Sequence, residues 1–264
     1  ANFNASPFCL TAISTKSLSP LNSSDANSNA YPFCLTTSNT KSLSPLKFSE
    51  AYLNIFIEYV NKIHPSLPIY VLGASMGAAI VSVARTMHTN IDYVRGVIFV
   101  APAVLTSGDI PWHQEMIMNI TKYLPWLKIK ETPILNIQFS DNLKILKDLN
   151  NDPLVIKDIA LGSIHGVIDL MKVAVASAPL IKEDTLVLWG NKDQVIPQVS
   201  IEKFISRLSK KNTTSIFYRD GYHMILRDLQ GQKVWDDILS WINDRDFKFS
   251  KDLIIRNDYV IYQR

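Results

Sequence analysis

Three polar side chains, far apart in the sequence, have the types and surroundings that nucleophilic catalysis needs. Ser75 is the centre of a G-x-S-x-G motif, GASMG at 73–77. Between a strand and a helix, this motif forms a tight turn that lifts the serine hydroxyl onto a strained apex, because the glycines carry no side chain to collide with the backbone. Asp193 and His223 follow later, each in a short polar loop after an apolar run.

Together these residues could transfer an acyl group. A serine hydroxyl is a poor nucleophile until an imidazole removes its proton, and the imidazole needs an anion behind it to fix its tautomer. The order Ser75, Asp193, His223 is that of α/β-hydrolases. Each residue also has a simpler interpretation: an ordinary glycine-bounded turn for Ser75, a helix cap near Pro197 for Asp193, and a surface loop position for His223.

The elements around these residues predict an α/β domain with a mostly parallel sheet. Apolar runs with strand character alternate with segments of helical periodicity, which is typical of parallel strands joined by helical crossovers. The predicted strands are Ile69–Leu72, Val94–Val100, Thr185–Trp189 and Thr214–Tyr218. The predicted helices are one capped by Ser49 and ended by Pro65, one at 76–88, one beginning at Pro197 and one at 232–242. Catalytic groups gather at the carboxyl ends of such strands, where Ser75, Asp193 and His223 all lie.

The segment from Val104 to Leu180 interrupts this alternation. Helical patterns at 113–124 and 164–176 occur there without clear strands between them. Six bulky apolar residues fall in its first half: Trp112, Met116, Ile117, Ile120, Tyr123 and Trp126. We therefore predict a helical cap insertion, in which these residues either line an apolar substrate channel or form the private core of the insertion.

Composition argues against several other classes of protein. The chain has 264 residues, of which 47% are hydrophobic and 19% charged, and this supports a sizeable globular core. A net charge of +3, from scattered residues, does not indicate a nucleic-acid partner. No residue spacing indicates a metal site, and we favour free thiols in a cytosolic protein over a Cys9–Cys34 disulfide. No apolar run reaches the roughly 18 residues of a membrane-spanning helix, and no secretory signal or transit peptide is recognised.

The first 47 residues differ in composition from the rest of the chain. They are rich in serine and asparagine, and PFCLTAISTKSLSPL at 7–21 returns as PFCLTTSNTKSLSPL at 32–46. Two copies are too few for a repeat fold, and the proline-containing polar composition predicts a disordered, low-complexity segment. The alternative is a small docking or thiol-bearing arm. The hydrolase domain is accordingly predicted to span 48–264.

Together the motifs resemble the monoacylglycerol lipase and lysophospholipase group of α/β-hydrolases, also described as serine aminopeptidase S33-like. The resemblance runs from about Phe48 to Ile242. It is carried by HPSLPIYVLGASMGAAI, VRGVIFVAPAV, NNDPLV, WGNKDQVIP and YRDGYHMILRD. The S-M-G elbow, the G-x-x-D-x-V-x-P loop and the G-x-H loop are together quite specific.

This resemblance implies an α/β-hydrolase fold with a cap, and it implies roles for four residues. Ser75 would be the nucleophile, Asp193 the triad acid, His223 the base, and the Met76 backbone amide an oxyanion donor. The substrate would be a small lipophilic one, a fatty acyl ester of glycerol or a lysophospholipid, with no metal or organic cofactor. The enzyme would be cytoplasmic, with at most peripheral membrane contact through the cap. Peptidase activity stays open, because it uses the same triad.

The chain departs from the family pattern before the elbow. Family members have a longer segment there, which supplies further strands and a His-Gly loop with a second oxyanion donor. This chain has no glycine before Gly73 and no comparable strand pattern before Phe48. Without those strands, the elbow strand would be an exposed apolar sheet edge. A second hypothesis is therefore a non-catalytic or degraded hydrolase remnant, or a module whose missing strands come from a partner.

Overall fold

We describe the protein from a computed structural model. It describes residues 10–14, 31–33, 44–87, 93–106, 108–109, 119, 121, 123–130, 137–153, 155, 158–243, 253–256 and 259–263. Within these ranges the strands are β1 (Leu10–Ser14), β2 (Tyr31–Phe33), β3 (Ile69–Ala74), β4 (Val94–Val100), β5 (Lys128–Lys130), β6 (Asp158–Ala160), β7 (Asp184–Gly190), β8 (Thr213–Tyr218), β9 (Leu253–Arg256) and β10 (Tyr259–Gln263). The α-helices are α1 (Ser44–Ile63), α2 (Met76–Met87), α3 (Leu143–Asn151), α4 (Leu161–Ser177), α5 (Gln198–Arg207) and α6 (Gly231–Asn243).

One sheet of eight strands runs through the protein in the order β2-β1-β3-β4-β7-β8-β10-β9. The five strands from β3 to β10 in this order are mutually parallel. At the two edges, β1, β2 and β9 pair antiparallel with their neighbours. The prediction of a mostly parallel sheet is confirmed.

The central strands are buried on both faces, which explains their nearly continuous apolar sequences. Successive side chains of a strand point to opposite faces. In β4, Val97 and Phe99 belong to one buried apolar cluster, whereas Ile98 and Val100 belong to the other. Residues of α1, α2, α4 and α5 complete the first cluster, and α6 completes the second.

The predicted strands and helices outside the cap are present, with some shifts in their ends. Helix α1 begins at Ser44, so Ser49 lies inside the helix and does not cap it. Pro65 follows the end of α1, as predicted. Pro197 is the N-cap residue of α5 rather than its first helical residue. The mixed charge of the C-terminal tail gave no indication of β9 and β10.

Two short strands lie within the first 47 residues, where the sequence predicted none. Strand β1 pairs antiparallel with β3, with Leu10 opposite Gly73, and β2 pairs with the other edge of β1. The expectation of an exposed β3 edge is therefore corrected, since β1 covers it. The predicted boundary at residue 47 falls inside α1. Residues 1–9, 15–30 and 34–43 lie outside the described residues, so their disorder stays a prediction.

Between β4 and β7 the chain forms the cap elements β5, α3, β6 and α4. Helix α4 matches the helix predicted at 164–176, whereas most of the helix predicted at 113–124 lies outside the described residues. Tyr123 and Trp126 are each 71% exposed, so these two do not form a private core. The other four of the six bulky apolar residues, Trp112, Met116, Ile117 and Ile120, lie outside the described residues.

Helix α4 connects the cap to the core. With the 3₁₀ turn that follows, it spans Leu161–Leu180, long and apolar enough to cross a membrane by length and composition alone. Core helices of soluble domains have the same character, and α4 contributes Leu170 and Val175 to the apolar cluster it shares with α2. The Ser82 hydroxyl of α2 donates to the Ala174 carbonyl at 2.9 Å. Burial against α2 therefore accounts for part of the apolar character of α4, since 39% of its apolar window is buried.

Asp109 anchors the start of the cap segment to α5. Its carboxylate accepts hydrogen bonds from Ser200 Oγ at 2.5 Å, Lys203 Nζ at 2.6 Å and the Thr106 amide at 2.9 Å, and also from the Thr106 hydroxyl. Burial of the Asp109 carboxyl raises its pKa, but the hydrogen bonds outweigh this effect and hold the pKa well below its usual range.

We expect Asp109→Ala to lower the free energy of unfolding by on the order of 3 kcal/mol at pH 7, because Lys203 loses its partner and Ser200 and Thr106 lose their acceptor. The carboxylate stabilises the fold fully above the unfolded Asp pKa of about 3.9, and less as the pH falls towards the folded pKa. The difference in unfolding free energy between wild type and variant, from urea titrations at pH 7 and pH 3, should therefore shrink on acidification. Asp220→Ala, which removes an exposed pair with Lys192, is the control and should change little. A difference that grows at pH 3 would contradict this account.

Candidate active site

Ser75 occupies the turn between β3 and α2. Its φ of 51° is unusual for a residue with a side chain. Its backbone amide and its backbone carbonyl are both hydrogen-bonded. The Ser75 amide donates to the Val100 carbonyl at 2.9 Å, and the Ser75 carbonyl accepts from the Ala78 and Ala103 amides, each at 3.0 Å. This strained conformation is therefore fixed by both strand β4 and the loop that follows it.

The turn is tight because no side chain separates β3 from the first turn of α2. A Cβ atom on Gly73 would lie 2.6 Å from the Gly77 carbonyl oxygen and 2.7 Å from the Ala78 backbone. Such distances are not reached by real Cβ atoms, so only glycine fits at Gly73. This is the steric reason that the sequence motif predicted.

Asp193 lies in the loop after β7 and uses both carboxylate oxygens. Oδ1 accepts from the Val195 amide at 2.8 Å and from the Ile196 amide at 3.1 Å, just before α5. Oδ2 lies 2.8 Å from His223 Nδ1. The two interpretations of Asp193 from the sequence are therefore compatible, since one oxygen orders the turn that leads into the helix and the other meets the imidazole.

His223 lies between Asp193 and Ser75. Its Nε2 atom is 2.9 Å from Ser75 Oγ, while Nδ1 faces the carboxylate. Because a carboxylate only accepts, the neutral imidazole carries its proton on Nδ1, and Nε2 accepts from the serine hydroxyl. Ser75 is 7% exposed and His223 is 8% exposed. The structure thus brings the three predicted residues into one chain of hydrogen bonds at the carboxyl end of the sheet.

The loops that carry Asp193 and His223 meet because two glycines, Gly190 and Gly221, touch. A Cβ on Gly190 would lie 2.2 Å from the Gly221 carbonyl oxygen, and the Lys192 amide donates to that same oxygen at 2.8 Å. Strands β7 and β8 are neighbours in the sheet, so their two following loops start side by side. Asp193 and His223 are brought together by this contact.

Met76 is the first residue of α2. Amides in the first turn of a helix have no partner within the helix, and the helix dipole favours negative charge there. A developing oxyanion beside Ser75 would therefore find a favourable donor in the Met76 amide. Among the residues that the structure describes, no group of three or more His, Cys, Asp or Glu side chains could hold a metal ion.

Sequence reasoning missed three residues at the loop that carries His223: Phe139, Ser140 and Asp228. Phe139 and His223 have their ring centroids 6.3 Å apart in an edge-on arrangement. Ser140 Oγ donates to Asp228 Oδ1 at 2.6 Å. Burial raises the pKa of the Asp228 carboxyl, and hydrogen bonds from Ser140 and the Tyr222 amide only partly offset it. Asp228 follows His223 closely in the sequence and could have been noticed, whereas Phe139 and Ser140 carry no sequence signal.

Comparison with known families places these residues in context. Residues 49–230, which include Ser75, Asp193 and His223, match the family described as serine aminopeptidase, S33. The chain belongs to this family. The match covers well over half of the chain and begins within α1.

A curated relative of the family is the monoacylglycerol lipase of Mycolicibacterium smegmatis. It is 25% identical to this chain over 183 residues, which are 68% of the chain and 63% of the relative. The chain therefore spans less than two thirds of the length of this relative.

Solved structures support the fold. A monoacylglycerol lipase from Paleococcus ferrophilus superposes with a TM-score of 0.61 at 23% identity, covering 75% of this chain and 74% of its own. A monoglyceride lipase from Saccharomyces cerevisiae gives a TM-score of 0.63 at 15% identity, covering 80% of this chain and 72% of its own. The predicted α/β-hydrolase fold is confirmed by these likenesses.

We expect Gly73→Ala to open the turn at Ser75, because the new Cβ would collide with backbone atoms that cannot move away independently. The cost should be about 1–3 kcal/mol of unfolding free energy, and the rate at which a fluorophosphonate labels Ser75 should fall. Gly162→Ala is a milder comparison: its Cβ would lie 3.1 Å from the Pro125 side chain and 3.2 Å from the Pro125 carbonyl oxygen, so a small shift of Pro125 relieves it and the labelling rate of Ser75 should not change. Thermal melts and labelling rates that match wild type for Gly73→Ala would contradict the steric argument.

Proposed function

We propose that the protein is a serine ester hydrolase that cleaves a fatty acyl ester through an acyl-enzyme. The observation that carries this proposal is the continuous chain of hydrogen bonds from Asp193 Oδ2 through His223 to Ser75 Oγ, with steps of 2.8 and 2.9 Å. The proposal assigns Ser75 as nucleophile, His223 as base and Asp193 as the triad acid.

The geometry supports a two-step reaction. Ser75 Oγ attacks the ester carbonyl while its proton passes to His223 Nε2, and Asp193 stabilises the imidazolium. The tetrahedral oxyanion accepts a hydrogen bond from the Met76 amide. His223 then protonates the leaving alcohol, and the carbonyl re-forms as an acyl-serine ester. In the second step His223 removes a proton from water, which attacks this ester and releases the fatty acid and free Ser75.

A monoacylglycerol or a lysophospholipid is the substrate class that we propose. Support comes from the curated relative in Mycolicibacterium smegmatis, which is a monoacylglycerol lipase, and from the partly exposed aromatic ring of Phe139 beside His223. The alternative is a non-catalytic hydrolase remnant, which would show neither turnover nor labelling at Ser75.

We further propose that the cap contacts lipid surfaces peripherally. The turn at residues 123–127 exposes Tyr123, Leu124, Trp126 and Leu127, and the exposed Ile159 lies on the neighbouring strand β6. Exposed apolar groups of this kind often form interaction surfaces, and tryptophan and tyrosine favour the membrane–water interface. A cytoplasmic location remains a prediction from the resemblance.

We expect a fluorophosphonate probe to label wild-type protein at Ser75, and the protein to hydrolyse a monoacylglycerol. Ser75→Ala should abolish both, and Asp193→Asn should lower kcat by about 10⁴-fold, because the imidazole loses its anionic partner and its tautomer. Ser82→Ala, which removes a different buried hydroxyl on α2, is the control and should keep wild-type turnover. A folded wild-type protein with neither labelling nor turnover would favour the non-catalytic alternative.

We expect the double variant Trp126→Ser, Leu127→Ser to bind phosphatidylcholine vesicles at least about tenfold more weakly, because two exposed apolar side chains no longer enter the lipid interface. Co-sedimentation measures the binding. Hydrolysis of a short, water-soluble ester should be unchanged. Tyr59→Ser, on the exposed face of α1, is the control, and equal loss of binding in both variants would contradict a role for the cap.

A further inference from the structure

The backbone on both sides of His223 is held by hydrogen bonds. The Tyr222 amide donates to Asp228 Oδ2 at 2.8 Å, and the Met224 amide donates to the Phe139 carbonyl at 2.9 Å. The residues before and after the imidazole are therefore each fixed to a different partner. This arrangement restrains the Cα position of His223 as well as its backbone direction.

These two partners, Asp228 and Phe139, are connected to each other through Ser140. Ser140 Oγ donates to the second carboxylate oxygen of Asp228, Oδ1, at 2.6 Å. Hydrogen bonds therefore link Tyr222 to Asp228 and Asp228 to Ser140. Ser140 directly follows Phe139, whose carbonyl accepts from the Met224 amide. We call the residues Phe139, Ser140 and Asp228 the histidine clamp.

The histidine clamp is attached on its outer side as well. The Asn142 side chain donates to the Arg227 carbonyl at 3.1 Å, and the Leu229 amide donates to Asp141 Oδ1 at 2.8 Å. The Gln138 amide donates to the side chain of Gln194, the neighbour of Asp193, at 3.1 Å. The segment 138–142 thus contacts the base loop and the acid loop together, and it leads directly into α3.

Holding a loop with a buried carboxylate costs desolvation free energy. Asp228 is 8% exposed and Ser140 is fully buried, and removing a carboxylate from water costs free energy unless its oxygens are well paired. Both Asp228 oxygens accept hydrogen bonds with short distances, so the carboxylate acts as a two-point anchor of defined geometry. Errors on the order of 1 Å in the position of a catalytic group cost about 10²-fold in rate, and this is the kind of precision that such an anchor supplies.

We propose that Asp228 is a positioning residue for His223, acting through the Tyr222 amide, with Ser140 fixing its orientation. The proposal rests on the proposed function for its kinetic readout. Asp228 does not touch the reacting atoms. It sets where the imidazole lies between Asp193 and Ser75.

Four variants test this inference. Asp228→Ala removes both contacts and should lower kcat about 10- to 100-fold, with KM for a monoacylglycerol within about twofold of wild type. Asp228→Asn should restore kcat to within about fivefold, because its oxygen can accept from Tyr222 and its NH₂ can donate to Ser140 Oγ. Ser140→Ala should give a smaller loss of kcat than Asp228→Ala. Ser215→Ala is the matched control, since it removes a buried serine that accepts from Trp189 Nε1 at 3.1 Å. It should lower the melting temperature without lowering kcat.

A second readout does not depend on turnover. The Nδ1 proton shared by His223 and Asp193 should give a downfield NMR signal, assigned by its absence in His223→Gln. We expect this signal to persist in Ser215→Ala and Asp228→Asn, and to be lost or broadened in Asp228→Ala. If wild type shows the signal but no turnover, the proposed function fails while loss of the signal in Asp228→Ala still supports the positioning role.

Several results would overturn the inference. One is wild-type kcat and an intact Nδ1 signal in folded Asp228→Ala. Another is an equal fall of kcat in Asp228→Asn and Asp228→Ala, which would implicate the charge rather than the hydrogen bonds. If Asp228→Ala does not fold, Ser140→Ala decides, and wild-type kcat together with an unchanged Nδ1 signal in that variant would overturn the role of the histidine clamp.

Discussion

The contact between β3 and the first turn of α2 is the constraint on which the whole site depends. Because Gly73 has no side chain, the backbone of Gly77 and Ala78 comes within about one atomic diameter of the strand. The serine between them has a φ of 51°, and hydrogen bonds to Val100 and Ala103 hold it there. His223, held by Asp193, then meets a hydroxyl whose position is already fixed. A side chain at Gly73 would therefore disturb chemistry that it never touches.

A second close backbone contact that requires glycine occurs where the loops carrying Asp193 and His223 meet. Gly190 and Gly221 lie in van der Waals contact at the ends of neighbouring strands. Two loops that are about 30 residues apart in sequence therefore pack directly against each other. The distances between the three polar groups follow from strand spacing together with these two close backbone contacts. The polar atoms are then aligned by hydrogen bonds to the backbone, as with the two amides that bind Asp193 Oδ1.

Much of this arrangement could be predicted from local sequence. The central strands are apolar runs buried on both faces, and Ser75, Asp193 and His223 each follow a strand, so order and position were enough to group them. Asp228 lies close to His223 in the sequence, but its pairing with Ser140 was not predictable, because the two are 88 residues apart and Phe139 and Ser140 carry no sequence signal. Strand β1 was missed for a different reason. Its pairing with β3 satisfies backbone groups along the sheet, and this places few demands on the types of its side chains.

The position of the cap in the sheet has a consequence for how such proteins can diversify. Strands β4 and β7 are parallel neighbours, with Gly96 opposite Asp184 and Val100 opposite Leu188. The chain therefore leaves the sheet at the carboxyl end of β4 and crosses back to enter β7 at its amino end. The entropy cost of closing a loop grows only with the logarithm of its length. Length changes confined to the exposed turn at residues 123–127, outside α4 and the histidine clamp, should therefore cost the sheet little stability and leave the three polar groups in register. This exposed turn can therefore vary in sequence and length while the geometry of Ser75, Asp193 and His223 is kept.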